Sequence, residues 1–268
     1  MDGKRVALVV SHPAHLLTVA GMLQRWRPHV LTLYRAEVGG GVGQEAAVRA
    51  ALEPLGLADR LTGFAISETE SFDRALAGDF AFHAATGARI FEWLRAVRPD
   101  AVLGDAYEAY NFHHDVARLL LDGAARRERA SGRAVANYEF PLSCRPNEPG
   151  APVRYGVFPA GAFCELRLTE AEMAVKRALT AAVGRVDPFV AGVAPLFARP
   201  EVETYRAVPA DRDYTAPPPG LALYYDERGR EVVTAGLYPR AIAFRAHFVP
   251  LARALGRLCQ RGGEGVSG

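Results

Sequence analysis

The sequence has little cysteine, no long hydrophobic run and almost no net charge. Its three cysteines are widely spaced over 268 residues, and none forms a C-x-x-C metal pair. No apolar stretch reaches the ~18 residues of a membrane span, and the run from Val6 to Val10 is too short for a signal-peptide core. We therefore expect a cytoplasmic protein with reduced thiols and no membrane contact.

The formal net charge of +2 is too small to indicate a nucleic-acid-binding surface. Half of the residues are hydrophobic and 23% are charged, which is close to the globular average of ~25%. The chain is long enough for one large core, with or without a small appended lobe. The expected partner is a small-molecule substrate rather than nucleic acid, and assembly into a homo-oligomer stays open.

The first half of the chain alternates short β-branched runs with segments that carry apolar residues at helical spacing. The predicted strands cover residues 5–10, 29–34, 61–66, 101–104 and 134–140, and the predicted helices cover 14–26, 44–55, 79–97 and 111–130. This alternation predicts an α/β fold, a Rossmann-like and mostly parallel sheet sandwiched by helices. Ligands of such sheets bind at the carboxyl ends of the strands.

The second half is less regular. Thr169 and Glu172 have the spacing of a capping box that opens a helix. After the stiff segment TAPPPG, residues 221–236 predict a β-hairpin that turns at the sequence DERG, and residues 241–258 predict a last helix. The expected organisation is an α/β domain over 1–199, an irregular C-terminal extension packed on it over 200–258, and a disordered tail over 259–268.

Four of the seven histidines fall at one predicted edge of the sheet. His12 and His15 follow the first strand, and His113 and His114 begin the helix after the fourth strand. Three imidazoles from two such loops, with His12, His15 and His114 as ligands, could meet around one Zn²⁺ with an open position for catalysis. His113 shares an apolar helical stripe and is better explained by packing. A cap or a surface hydrogen bond is the simpler interpretation of the other histidines, His29, His83 and His247.

The segments VVSHPAHL, at the end of the first strand, and VRPDAVLGDAYEAYNFHHDVA, around the fourth, carry these histidines. They resemble motifs of the PIG-L/LmbE-like family of zinc-dependent N-deacetylases, which includes relatives of the GlcNAc-PI de-N-acetylases. VVSHPAHL stands where the family has A-H-P-D-D-E after its first strand. VRPDAVLGDAYEAYNFHHDVA stands where H-P-D-H opens a later helix. The resemblance covers residues 5–122. It implies a metal-dependent hydrolase that acts on an N-acyl amino sugar or a related small amide.

The resemblance also implies a changed ligand set. His12 and His114 match two of the family's zinc ligands, and His15 stands where the family has an aspartate ligand. Ala14 occupies the position of the usual general base, and Asn111 replaces the first histidine of H-P-D-H. Because three imidazoles leave zinc more positive and lower the pKa of its water to ~7, losing the base does not by itself exclude hydrolysis.

Other residues of the same edge are candidates for catalysis or substrate binding. Asp105 ends the fourth strand and is expected to act as a base or to orient a ligand histidine, although a loop hydrogen bond explains it equally well. Asp115 follows His114 and is the second catalytic candidate. The substrate-binding candidates are Asn111, Glu108, Tyr110, Glu139 and Arg145.

Other functions fit the same residues. The altered motif could serve a different metal-assisted reaction on a sugar or a small metabolite. A degenerate member of the family could instead bind a ligand or a partner protein without catalysis. A glycosyltransferase-like domain would fit the strand–helix alternation but would not explain the paired histidines.

Overall fold

The computed structural model describes residues 1, 3–37, 43–158, 160–197 and 199–261. The strands are β1 (Val6–Val10), β2 (His29–Arg35), β3 (Leu61–Ser67), β4 (Ala101–Asp105), β5 (Ala136–Phe140), β6 (Ser143–Cys144), β7 (Arg154–Tyr155), β8 (Cys164–Arg167) and β9 (Val202–Ala207). The α-helices are α1 (Ala20–Trp26), α2 (Gln44–Leu52), α3 (Glu68–Leu76), α4 (Phe80–Val97), α5 (Phe112–Ala130), α6 (Glu170–Gly184), α7 (Pro188–Val193), α8 (Tyr225–Thr234) and α9 (Val249–Arg261). A 3₁₀ segment (Pro13–Val19) precedes α1, and a π-helical turn (Phe244–Phe248) precedes α9.

Within the described residues, seven strands form one sheet in the order β3-β2-β1-β4-β5-β9-β8. Strands β1 to β5 pair with one another in parallel, as the alternation predicts. Strands β9 and β8 extend the sheet in antiparallel pairing. A separate small antiparallel hairpin sheet joins β6 and β7. The α/β fold with a mostly parallel sheet between helices is confirmed.

Both faces of the sheet are covered. Along β1, Ala7 and Val9 point into a core shared with α4, α5 and α9, whereas Leu8 and Val10 point into a core shared with α1, α2 and α6. Because successive side chains of a strand alternate between faces, a strand covered on both sides is apolar throughout. This explains the unbroken apolar run of β1. The carboxyl ends of β1 and β4 lie side by side, since Val9 pairs with Gly104.

The predicted hairpin at residues 221–236 is wrong, because this segment forms helix α8. Gly229, taken as a turn residue, faces inward, where an added Cβ would lie 3.0 Å from the Ala241 Cβ and 3.1 Å from the Ile242 carbonyl oxygen. This glycine therefore allows a close approach of two backbones. The preceding polar residues occupy the exposed face of a helix rather than a turn.

Other boundaries differ from the sequence predictions. The predicted helix 14–26 is divided into the 3₁₀ segment and α1, and α3 was not predicted. The capping box of α6 is present, with Thr169 and Glu172 in the expected roles. The predicted tail begins at residue 259, but α9 continues to Arg261; residues 262–268 lie outside the described part of the chain.

The segment that follows residue 200 contributes to the main sheet. Its strand β9 lies between β5 and β8 and hydrogen-bonds to both. The division of the chain near this residue stays a prediction. No helix of the described residues combines the length and the apolar character that crossing a bilayer requires.

Candidate metal centre

Two backbone features bring four histidine rings together. His12 and His15 lie at the start of the 3₁₀ segment, directly after β1. His113 and His114 lie in the first turn of α5, which begins there because the Asn111 Oδ1 accepts a 2.9 Å hydrogen bond from the His113 backbone N–H. The ring centroids of His15 and His114 are 4.4 Å apart, and those of His12 and His15 are 5.2 Å apart.

The three predicted ligands are close enough to hold one ion. His12, His15 and His114 each offer a ring nitrogen, and these nitrogens lie within 4.8 Å of one another. The buried His114 Nδ1 finds no hydrogen-bond partner among the described residues. A buried polar atom without a partner is costly, and a cation would remove that cost. The three side chains therefore fit a divalent metal ion such as Zn²⁺.

Asp105 sets the chemical state of His15. The His15 Nδ1 lies 3.0 Å from the Asp105 Oδ2, which also accepts a 2.8 Å hydrogen bond from the Ser11 backbone N–H. Because a carboxylate only accepts hydrogen bonds, the proton of His15 resides on Nδ1, and the Nε2 lone pair is free to bind a metal. Asp105 does not line the cavity, so its contact with the site runs through His15.

Burial and neighbouring charges shift the pKa values of His114 and His12 in opposite directions. Burial, reinforced by the neighbouring His15, lowers the pKa of His114 well below its usual value, so its ring is neutral. Burial also favours neutral His12, but Glu68 outweighs this effect and raises the pKa of His12. Burial would raise the pKa of Glu68, but His12 and His113 lower it to about 2. Because the Glu68 carboxylate only accepts, the His12 Nε2 donates to it, and a cation that binds this nitrogen must displace its proton.

Glu68 is a site residue that the sequence analysis missed. It is the first residue of α3, and its Oε1 lies 2.7 Å from the His12 Nε2. His12, Glu68 and His113 form a second group whose ligand atoms lie within 4.8 Å of one another. Because Glu68 follows β3, the rule that places ligands at the carboxyl ends of strands could have identified it.

The structure places Asp115 beside the site rather than in it. Its Oδ1 accepts a 2.9 Å hydrogen bond from the Glu108 backbone N–H, and its side chain does not line the cavity. Burial raises the pKa of Asp115 to about 7, although backbone hydrogen bonds to the carboxylate oppose the shift. Its catalytic role stays a prediction.

Of the predicted substrate-binding residues, Tyr110 and Asn111 line the cavity. The carboxylate of Glu108 accepts hydrogen bonds of 2.7 and 2.9 Å from the backbone N–H groups of the loop at 142–143. Glu139 is fully buried and is paired with two arginines. Arg145 is paired with an exposed carboxylate near the start of α8. The structure therefore does not bring Glu108, Glu139 or Arg145 to the cavity.

The histidines line a cavity of about 620 Å³. One wall comes from the 3₁₀ segment, α6 and α7, and another comes from α8 and the residues that follow it. Its larger apolar lining residues include Leu17, Phe72, Phe112, Met173, Phe189, Val190, Phe197, Val232 and Leu237. Phe189 and Leu237 are 57% and 38% exposed, so they lie where the cavity opens to solvent. A volume of this size accommodates a whole small molecule, since typical ligand cavities measure ~300–1,000 Å³.

Comparisons with known proteins support the fold. No protein-family model matches the chain, and no curated protein matches its sequence. A deacetylase of the teicoplanin biosynthesis pathway superimposes with a TM-score of 0.53 at 14% identity, over 78% of this chain and 100% of the other. The pseudoaglycone deacetylase Dbv21 superimposes with a TM-score of 0.52 at 15% identity, over 79% of this chain and 100% of the other. The predicted likeness to PIG-L/LmbE-like deacetylases is thus confirmed for the fold.

Proposed function

We propose that this protein is a metal-dependent hydrolase that cleaves the amide bond of an N-acyl amino sugar or a related small amide. The observation that carries the proposal is the convergence of His12, His15 and His114 in the lining of a large cavity. The fold shared with two deacetylases supports the same reaction class. The ligand set, the metal Zn²⁺ and the substrate class are parts of the proposal.

An ion held by His12, His15 and His114 would supply Lewis acidity, which would polarise a carbonyl and lower the pKa of water towards ~7. The chain supplies the orientation of its own ligands. Asp105 fixes the proton of His15 on Nδ1, and the Ser11 hydroxyl lies 3.1 Å from the His12 Nδ1. These contacts hold the rings without side-chain movement at the moment of reaction, which is the condition for electrostatic catalysis.

A carboxylate inside the cavity can take over the proton transfer that Ala14 cannot perform. Among the described lining residues, the carboxylates are Glu68 and Asp187. Asp187 caps α7, where its Oδ1 accepts a 2.9 Å hydrogen bond from the Phe189 backbone N–H. Glu68 contacts His12 through its Oε1, so its position makes it the group that would accept a proton next to the histidines. The apolar walls would keep other water away from the reacting bond.

The experiment is amine release from a panel of N-acetyl and longer N-acyl amino sugars by the zinc-loaded protein. We expect activity on at least one substrate and its loss in His12→Ala and His114→Ala. The matched control is His29→Ala. His29 is the first residue of β2, at the amino-terminal end of the strands, whereas the site lies at their carboxyl ends. Activity that survives both site substitutions would contradict the proposal.

A second candidate is a non-catalytic protein that binds a small ligand in the same cavity. Ala14 favours this candidate. It lines the cavity, and it stands at the position where PIG-L/LmbE-like deacetylases have their general base. This candidate predicts that amino sugars bind with no release of amine. Calorimetric titration of the same panel, followed by analysis of the titrated ligand, separates the two candidates.

A further inference from the structure

A second set of ligand atoms shares His12 with the first. His12, Glu68 and His113 are all buried, and their ligand atoms lie within 4.8 Å of one another. We propose that these three residues form a second position for a first-row divalent cation, alternative to the position at His12, His15 and His114. The inference rests on the metal-dependent function proposed above and adds Glu68 and His113 as ligands.

The hydrogen-bond pattern of His113 points to a cation. Its Nε2 lies 3.1 Å from the Glu68 backbone carbonyl oxygen. A carbonyl oxygen only accepts, so the Nε2 of His113 donates, and in a neutral ring the Nδ1 is then an acceptor. This Nδ1 lies 3.8 Å from the Glu68 Oε1, which is also an acceptor. A cation between the two atoms would turn an unfavourable pair of lone pairs into two ligand bonds.

The distances leave room for an ion with small adjustments. Two ligand atoms bound to the same tetrahedral zinc lie about 3.3 Å apart, since each is ~2.0–2.2 Å from the metal. The Glu68 Oε1 lies 2.7 Å from the His12 Nε2 and 3.8 Å from the His113 Nδ1. A shift of about 0.6 Å or less in each of these two contacts brings it to the spacing that zinc requires. The third pair, His12 and His113, has ligand atoms within 4.8 Å of each other. The His12 Nδ1 contacts the Ser11 hydroxyl, and the His12 Nε2 faces Glu68.

The second position differs from the first in charge. Two imidazoles and one carboxylate form a ligand set found in zinc hydrolases, and the carboxylate cancels one positive charge of the ion. Three imidazoles cancel none. Because both positions draw on His12, one ion occupies one position at a time, and the ligands left to each variant decide where it binds.

The test measures cobalt stoichiometry and the visible spectrum of Co²⁺ added to the metal-free full-length chain. The His15→Ala/His114→Ala variant removes two ligands of the first position and leaves the second intact. We expect it to keep about one Co²⁺ per chain with a changed spectrum, and to lose that ion when His113→Ala is added. His113→Ala alone should still bind through the first position.

The outcomes separate this inference from the proposed function. If the double variant binds no cobalt while His113→Ala binds it as the wild type does, the second position is overturned and the first ligand set stands. If the double variant keeps cobalt and His113→Ala alone loses it, the second position is supported and the first ligand set is overturned.

Circular dichroism checks that each variant folds. If the double variant does not fold, anomalous diffraction from cobalt-loaded crystals of the His114→Ala variant decides: density at Glu68 supports the inference, and no density there contradicts it.

Discussion

The Asp105 carboxylate lies 3.0 Å from the His15 Nδ1 and is almost completely buried behind it. Burial would raise the pKa of Asp105, but His15 and the hydrogen bonds from Ser11 hold it below its usual value. A charged, buried carboxylate that touches one histidine acts on the site by orienting that histidine. Of the two roles predicted for Asp105, we therefore expect the positioning of His15 rather than that of a base that reaches the substrate.

Asp105→Asn should weaken metal binding while the protein stays folded. The amide can no longer fix the His15 proton by charge, and losing such a partner typically lowers metal affinity by ~10–100-fold. Chelator competition with zinc measures the change, and the exposed Asp59→Asn variant serves as the control. Unchanged affinity in Asp105→Asn would show that Asp105 does not orient a ligand.

Ala14→Asp should increase amide hydrolysis by the zinc-loaded protein. Position 14 lines the cavity between His12 and His15 in the chain, so a carboxylate there can reach water beside the ion. A positioned general base contributes on the order of 10²–10⁴ in rate. The measurement is kcat for amine release, compared with Ala14→Asn, which adds similar volume without a base. Equal rates in the two variants would mean that proton transfer is already served by another group.

The free energy of unfolding should fall in mild acid because His83 is buried as a neutral ring. Burial is the main cause that lowers the pKa of His83 from 6.5 to about 4. Above pH 6.5 the ring is neutral in both the folded and unfolded states, so His83 does not lower the free energy of unfolding there. Between pH 6.5 and 4 the unfolded state takes up a proton that the folded state does not, and the free energy of unfolding falls by about 3 kcal/mol.

Denaturant titrations between pH 4 and 7 test this prediction. The His83→Gln variant lacks the titrating ring, so its free energy of unfolding should depend less steeply on pH than that of the wild type. The same pH dependence in both proteins would show that His83 does not titrate abnormally.

Glu139→Ala should destabilise the protein without affecting metal binding. The Glu139 Oε1 lies 2.7 Å from the Arg206 Nε and 2.7 Å from an Arg212 guanidinium nitrogen, and Glu139 itself is fully buried. Removing one partner of a buried ion pair typically costs about 3–5 kcal/mol, because the remaining charge is left uncompensated. Thermal unfolding and zinc titration measure the two effects. A stable Glu139→Ala variant with altered substrate binding would instead support the role in substrate binding predicted from the sequence.

Local sequence patterns predicted the central strands and the first ligand set for a clear reason. A strand buried on both faces is apolar throughout, so the runs at β1 and β4 are visible in the sequence. The residues that follow such strands share one edge of the sheet, which brings His12 and His114 together although they are 102 positions apart.

Other elements were missed because their burial is partial. In α3, the buried residues are Glu68, Ser71, Phe72 and Ala75, so the inward face carries little apolar signal. In β8, three of the four residues are exposed, and its pairing with β9 depends on contacts distant in sequence. Missing α3 left Glu68 without an assigned element, although its place after the predicted strand at 61–66 puts it at the carboxyl end of that strand.

The most direct measurement is the metal content of the wild-type protein and of His12→Ala, after both are loaded with zinc and freed of excess ion. His12 belongs to both ligand sets, so its removal leaves neither complete. We predict about one zinc ion per wild-type chain and none retained by the variant. A wild-type chain that retains no zinc, or a His12→Ala chain that retains as much as the wild type, would contradict the account.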